Sequence, residues 1–149
     1  MIPPGAEGRE AGPPPIAGVL ETALYCDDLA RATAFYEGVL GLKRIFADER
    51  LAAYDAGPRS VLLLFRRGST LETVTMPGGT IPPHDGHGPL HLALAISAEA
   101  LPRWERHLEE RGIAVEGRTE WPMGGTSVYF RDPDRHLVEL ATPGLWPNY

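Results

Sequence analysis

The amino-acid sequence predicts an α+β fold that consists of two βαβββ units in a single domain. Each unit opens with a strand of alternating apolar residues, at residues 20–26 and 90–96, and continues with an amphipathic helix. A glycine, Gly41 or Gly112, follows each helix as a stop signal, and three short β-prone runs come next. Because the second unit repeats the first after about 70 residues, the chain is an internal repeat.

In the first unit, the opening strand has two faces that differ in chemistry. Alternation places Glu21, Ala23 and Tyr25 on one face and the aliphatic side chains on the other. Asp28 can cap the helix that follows, because a short acidic side chain accepts a hydrogen bond from the first helical turn. The three later strands are expected around residues 42–47, 51–55 and 60–66.

The second unit and the connections follow from the same patterns. A glycine- and proline-rich crossing links the units, and we expect it to be a linker or loop. The first 15 residues hold five prolines, so we expect a disordered or loosely docked tail before one domain. The predicted ranges are 1–15 for the tail, 16–149 for the domain, 18–67 and 90–143 for the units, and 68–89 for the crossing.

Composition and charge narrow the function. The 149 residues are 43% hydrophobic and carry a formal net charge of -6 without a large basic cluster, so nucleic acid is not an expected partner. No apolar run is long enough to span a membrane, and no signal-peptide layout is present. The single cysteine, Cys26, suits a reducing compartment. We therefore expect a cytoplasmic protein that acts on a small molecule.

The last strand of the second unit carries a carboxylate, Glu139, between apolar neighbours. The preceding Asp132-Pro133 pair predicts a type I turn, so this strand forms a hairpin with the one before it. A buried, unpaired carboxylate would cost several kcal/mol by order of magnitude, so Glu139 is expected to have a partner. Glu21 and His91 hold equivalent positions in the two opening strands, which predicts that Glu21, His91 and Glu139 line one concave face.

Several motifs resemble a known superfamily. They are Phe35-Tyr36-Glu37-Gly38-Val39-Leu40-Gly41-Leu42, the strand that begins at His91, and Arg131-Asp132-Pro133-Asp134 followed by Leu137-Val138-Glu139-Leu140. The chain resembles the vicinal oxygen chelate superfamily, the group of glyoxalases, bleomycin resistance proteins and extradiol dioxygenases, over residues 18–143. The resemblance implies an open, eight-stranded, cup-like sheet with helices outside. It also implies a homodimer.

The resemblance further implies a metal site. The family's ligand positions fall on His91 and Glu139, and its first ligand position, commonly histidine, falls on Glu21. A fourth carboxylate ligand has no counterpart in the apolar strand Val61–Phe65, so ordinary glyoxalase I activity is disfavoured. One histidine with two carboxylates also differs from the two-histidine, one-carboxylate site of Fe(II) dioxygenases. Arg135 replaces the family's usual glycine in the turn, where a left-handed conformation would cost a non-glycine residue about 1 kcal/mol, so the substitution threatens the geometry of the turn.

Two functions remain open. The first is an enzyme that binds a divalent ion (Mn, Mg, Zn, Ni or Fe) through Glu21, His91 and Glu139, with Glu21 also serving as the catalytic base of an isomerase or lyase. The second is a metal-free protein that sequesters an antibiotic-type ligand in its cup. Loop histidines at the cavity mouth and aromatic strand residues are the candidate pocket residues: Tyr25, Phe65, Trp121, His84 and His87. His136, beside the turn, is expected at the surface.

Overall fold

The computed structural model describes residues 12–149, and most of the predicted tail, residues 1–11, lies outside the described residues. The two predicted βαβββ units are confirmed. The first contains β1 (Glu21–Cys26), α1 (Leu29–Gly38), β2 (Lys43–Ala47), β3 (Leu51–Asp55) and β4 (Val61–Arg66). The crossing contains β5 (Val74–Met76) and β6 (Gly79–Ile81). The second contains β7 (His91–Ala95), a 3₁₀ turn (Ala98–Ala100), α2 (Leu101–Glu110), β8 (Gly117–Glu120), β9 (Thr126–Arg131) and β10 (Leu137–Ala141).

The eight strands of the two units form two four-stranded sheets with the same topology. The order is β1-β4-β3-β2 in the first sheet and β7-β10-β9-β8 in the second. The opening strand of each unit lies at a sheet edge and pairs in parallel with the last strand, while the other pairs are antiparallel. Glu21 and His91 thus begin the two edge strands β1 and β7, as the repeat predicts.

The hydrophobic core joins the two units on the helix side of both sheets. It includes Tyr36 of α1, Leu108 of α2, Leu64 of β4 and Leu140 of β10, all at most 1% exposed. The sheet faces opposite the helices are therefore the surfaces left for a ligand. Asp28 caps α1 as predicted, since its Oδ1 accepts a hydrogen bond from the backbone N–H of Arg31 at 3.1 Å.

The turn between β9 and β10 is built around the buried Asp132. Its Oδ1 accepts hydrogen bonds from the backbone N–H groups of Asp134 at 3.0 Å and His136 at 2.8 Å, and its Oδ2 accepts one from the Tyr36 hydroxyl at 2.9 Å. Burial raises the pKa of Asp132, although the hydrogen bond from Tyr36 acts in the opposite direction. Arg135 has a φ of 70°, so this arginine adopts the left-handed conformation that glycine usually supplies in the turn.

The expected surface position of His136 is wrong. Its side chain is fully buried and connects the two units. Nδ1 accepts a hydrogen bond from the backbone N–H of Leu90 at 2.9 Å, so Nε2 carries the proton that is donated to the carbonyl of Tyr25 at 2.7 Å. The sequence does not reveal this burial, because the turn residues around His136 are polar.

The crossing, residues 68–89, folds back against the first sheet. β5 and β6 pair as a short antiparallel hairpin. The backbone N–H of His84 donates to the carbonyl of Thr70 at 3.0 Å, and the Thr70 hydroxyl donates to the carbonyl of His84. Arg67 donates to the carbonyl of Gly86 at 3.1 Å, which fixes the far end of the segment. Among the described residues, no helix is long and apolar enough to cross a membrane.

Candidate functional site

His91 and Glu139 form a side-chain pair on the helix-free face of the second sheet. Nε2 of His91 lies 3.2 Å from Oε2 of Glu139. The imidazole is about half exposed, at 51%, whereas the carboxylate is 6% exposed. The parallel register of β7 and β10 places the two residues on neighbouring strands, because His91 pairs with Leu137, two residues before Glu139.

Each member of the pair is oriented by a further hydrogen bond. Nδ1 of His91 lies 2.9 Å from the carbonyl of Leu137. Oε1 of Glu139 accepts a hydrogen bond from the Ser127 hydroxyl, and Ser127 in turn accepts one from Nε1 of Trp121 at 2.8 Å. Such supporting contacts are typical of metal ligands, since they fix the tautomer and the ring orientation.

The position of one ring proton of His91 follows from these contacts. A carbonyl can only accept, so Nδ1 carries the proton and the neutral ring presents a lone pair at Nε2. That lone pair faces a carboxylate oxygen, which is repulsive unless a proton or a cation lies between them. Two neighbouring donor atoms bonded to one ion at about 2.0–2.2 Å are separated by about 2.8–3.6 Å in octahedral or tetrahedral geometry. The pair therefore fits two ligands of a divalent ion.

Glu21 lies apart from this pair. Among residues 12–149, no group of three or more His, Cys, Asp and Glu side chains converges within one chain. Glu21 instead lines a separate cavity of about 490 Å³ over the helix-free face of the first sheet. A single chain therefore brings together His91 and Glu139 and leaves Glu21 on the other sheet.

The cavity over the first sheet, which we call the sheet-one cavity, lies between strand residues and the crossing. Its lining is mainly apolar and aromatic and includes three charged side chains, Glu21, Arg50 and Glu72. The lining residues are Glu21, Ala23, Tyr25, Arg50, Leu51, Leu63, Phe65, Thr70, Glu72, Val74, Ile81, Pro82 and His84. Its volume falls within the range of roughly 300–1,000 Å³ that holds small-molecule ligands. The alternation of β1 thus places Glu21 and Tyr25 in one cavity.

Of the five candidate pocket residues, three meet in the sheet-one cavity. The Tyr25 hydroxyl lies 2.7 Å from Nδ1 of His84, and the rings of Phe65 and His84 pack edge to face with centroids 4.7 Å apart. Trp121 lies in the second unit, where it contacts Ser127. His87 is exposed and is absent from the cavity lining.

Sequence reasoning missed two polar residues of these sites. Ser127 shares a face with Glu139, because β9 and β10 pair Ser127 with Ala141. Extending the predicted hairpin register from the turn along both strands would have placed Ser127 on the face of Glu139. Arg50 lies in the loop before β3, where no periodicity signals its position, and it lines the sheet-one cavity next to Leu51, which pairs with Phe65 at the end opposite Glu21.

Comparison with known proteins shows the protein superfamily to which the chain belongs. The model of the glyoxalase/bleomycin resistance protein/dioxygenase superfamily matches residues 18–140. The chain belongs to this superfamily.

Individual relatives show how the chain compares within the superfamily. It is 34% identical to a lactoylglutathione lyase of Agrobacterium tumefaciens, with a TM-score of 0.81 over 90% of this chain and 99% of that structure. It is 30% identical to the metallothiol transferase FosB of Bacillus licheniformis, over 88% of this chain and 79% of that protein. The fosfomycin resistance protein FosX of Listeria monocytogenes, crystallised with Mn(II) and dihydroxypropylphosphonic acid, shares the fold at 20% identity and a TM-score of 0.63, over 87% of this chain and 93% of that structure.

Proposed function

We propose that the protein is a divalent-metal-dependent enzyme that acts on a small oxygenated molecule by Lewis-acid-assisted proton transfer, of the isomerase or lyase type. The observation that carries the proposal is the 3.2 Å approach of His91 Nε2 to Glu139 Oε2, with both side chains oriented by other groups. The name of the Agrobacterium relative, a lyase, and the Mn(II) bound to the Listeria protein support it.

We propose Glu21 as the third ligand, contributed by a second copy of the chain in a homodimer. Glu21 and His91 begin the exposed edge strands of equivalent units, but they belong to different sheets of one chain. A two-fold arrangement that sets the first sheet of one copy against the second sheet of the other would bring each Glu21 to a His91–Glu139 pair. Two carboxylates with one imidazole suit Mn, Mg, Zn, Ni or Fe.

Each residue of the proposed site would have its own role in the reaction. A divalent ion held there would supply a Lewis acid that stabilises negative charge on a substrate oxygen. Glu21 would accept a proton from the carbon next to a carbonyl, because a carboxylate in a partly apolar cavity is a suitable general base. His91 and Glu139 would hold their orientation through Leu137 and Ser127, so that little reorganisation accompanies binding.

Metal content tests whether the protein binds a divalent ion. Protein purified without chelator should contain a divalent ion or gain thermal stability when Mn²⁺, Ni²⁺ or Zn²⁺ is added, since binding to the folded state raises stability by mass action. The variant His91→Ala should lose that gain while it keeps the same circular dichroism spectrum. Less than about a tenth of an equivalent of bound metal, together with no thermal shift, would contradict the proposal.

Mixing two inactive variants tests the shared site. Neither Glu21→Ala nor His91→Ala should bind Mn²⁺ tightly alone. After the two are unfolded and refolded together, the hybrid dimer has one intact site, which restores roughly a quarter of the wild-type sites in a random mixture. Mixtures without restored sites would show that Glu21 does not complete the site from a second copy.

A metal-free binding protein of the antibiotic-sequestering kind is the second candidate. The sheet-one cavity favours it, because apolar and aromatic side chains such as Tyr25 and Phe65 enclose it without His91 or Glu139. Titration with metal-free bleomycin separates the two functions. Tight binding that His91→Ala leaves unchanged would support sequestration, whereas an absence of binding together with a metal-dependent thermal shift would support the enzyme.

A further inference from the structure

The crossing places His84 in the sheet-one cavity by several independent contacts. Thr70 holds the backbone of His84 through two hydrogen bonds, and the Asp85 carboxylate accepts a hydrogen bond from the backbone N–H of Gly68 at 3.1 Å. A Cβ atom at Gly86 would overlap the Tyr25 ring, so the chain passes directly over that ring. His84 is therefore a fixed part of the cavity wall.

The side chain of Tyr25 contacts one ring nitrogen of His84. The Tyr25 hydroxyl lies 2.7 Å from Nδ1 of His84, and burial together with the nearby charge of Asp85 raises the pKa of Tyr25, so the hydroxyl keeps a proton that it can donate. When the hydroxyl donates to Nδ1, the neutral ring carries its own proton on Nε2. Nε2 makes no hydrogen bond to any residue of the described chain and is not among the fully buried unpaired atoms. It is an accessible ring nitrogen on the wall of an apolar cavity.

The dimensions of the cavity define the ligand that can use this donor. Glu21 and Tyr25 lie at two ends of β1, with Cα atoms about 13 Å apart at roughly 3.3 Å per residue. Ala23 and Leu63, which pair in register across β1 and β4, form an apolar floor between them. His84 lies at the Tyr25 end, where its ring packs on Phe65. A molecule of three or four heavy atoms cannot contact both ends.

We propose that His84 is a specificity-determining residue whose Nε2–H group donates a hydrogen bond to an oxygen at the far end of an elongated substrate. The substrate class is a molecule with metal-binding oxygens at the Glu21 end, a flat or apolar body over Ala23 and Leu63, and an uncharged acceptor oxygen near His84. Only the position of the metal-binding end rests on the proposed function. Tyr25 is a positioning residue, because it acts through the tautomer of His84.

A pair of isosteric probes tests the donor. Dihydrocaffeamide has a catechol at one end and an amide carbonyl at the other, and 4-isopentylcatechol has the same shape without the acceptor. Dissociation constants are measured under argon by calorimetry, with and without Mn²⁺. The wild type should prefer the amide roughly three- to tenfold, the range for one neutral hydrogen bond. The preference should vanish in His84→Ala and decrease in Tyr25→Phe, which keeps the ring.

The control variant is His107→Ala, which removes an imidazole on the helix side, where Nε2 donates to the carbonyl of Val39 at 2.8 Å. This variant should keep the preference. Equal affinity of the wild type for both probes, a preference that survives in His84→Ala, or no binding of either probe at millimolar concentration would overturn the proposal. If the preference depends on His84 but Mn²⁺ changes neither affinity, the substrate class stands and the metal site fails. If Mn²⁺ strengthens the binding of both probes but the wild type shows no preference that depends on His84, the metal site stands and the proposed role of His84 fails.

Discussion

The two sheets have the same topology but present different helix-free faces. On the first sheet, the crossing covers the face and encloses the sheet-one cavity, in which Glu21 and Tyr25 lie. On the second sheet, the segment after β10 contacts the end of that strand, since the Tyr149 hydroxyl donates to the carbonyl of Ala141 at 2.8 Å. The edge residue His91 is half exposed.

This difference indicates a division of roles between two copies of one unit. The second sheet supplies an oriented pair of candidate metal ligands, His91 and Glu139, on a partly exposed face. The first sheet supplies shape, an apolar floor and one donor, but only one of the candidate ligands. Repetition of the backbone therefore does not require repetition of the chemistry, since side chains and connections decide what each face can bind. Changes on one sheet that spare the three proposed metal ligands should leave the properties of the other intact.

The largest expected effect is that of Glu139→Gln. Replacing a charged ligand with an amide should lower the affinity for Mn²⁺ by at least about a hundredfold. The metal-free variant should be at least as stable as the wild type, because an amide N–H can donate to the lone pair of His91 Nε2 while the amide oxygen still accepts from Ser127. Calorimetric titration and thermal melts in chelator measure the two quantities. A clear loss of metal-free stability would show that a proton between Nε2 and Oε2 stabilises the wild-type pair.

The sequence predicts the pairing of His91 with Glu139 because backbone periodicity fixes it. Strand alternation and the repeat assign both residues to one face, and these rules hold wherever strands pair. The burial of His136 and the fold of the crossing are not predictable in this way. They depend on single contacts between distant residues, such as His136 with Tyr25 and Thr70 with His84, which leave no periodic signal. The position of Glu21 relative to His91 is likewise outside what one chain's periodicity determines.

The next largest effect is that of Ser127→Ala, which changes the second sheet without removing a ligand. Glu139 loses the hydroxyl that fixes Oε1, and Nε1 of Trp121 loses its acceptor. Mn²⁺ affinity should fall about tenfold, the lower range for partners of metal ligands. Electron paramagnetic resonance of bound Mn²⁺ measures the change. Without Mn²⁺, binding of the catechol probes in the sheet-one cavity should not change, and a parallel loss there would contradict the division between the sheets.

A steric change in the crossing tests the first sheet alone. In Gly86→Ala, the new methyl group would overlap the Tyr25 ring, so the crossing must shift, which should cost about 1–3 kcal/mol of stability. The matched control is Gly78→Ala in the same crossing, where a Cβ atom meets nothing within 4 Å and φ is not positive. Urea unfolding measures both variants. The preference for dihydrocaffeamide should be lost in Gly86→Ala only, and Mn²⁺ affinity should be unchanged in both.

The smallest expected effect compares equivalent turns of the two units. Arg59, between β3 and β4, has a φ of 57°, and Arg135, between β9 and β10, has a φ of 70°. Glycine relieves the left-handed strain but adds entropy to the unfolded chain, so each replacement should raise the free energy of unfolding by up to about 1 kcal/mol. Arg135→Gly should gain less than Arg59→Gly, because Arg135 also lies 3.4 Å from Glu116 in an exposed ion pair. A larger gain at Arg135, measured by urea unfolding in low salt, would show that strain in the Asp132 turn outweighs that contact.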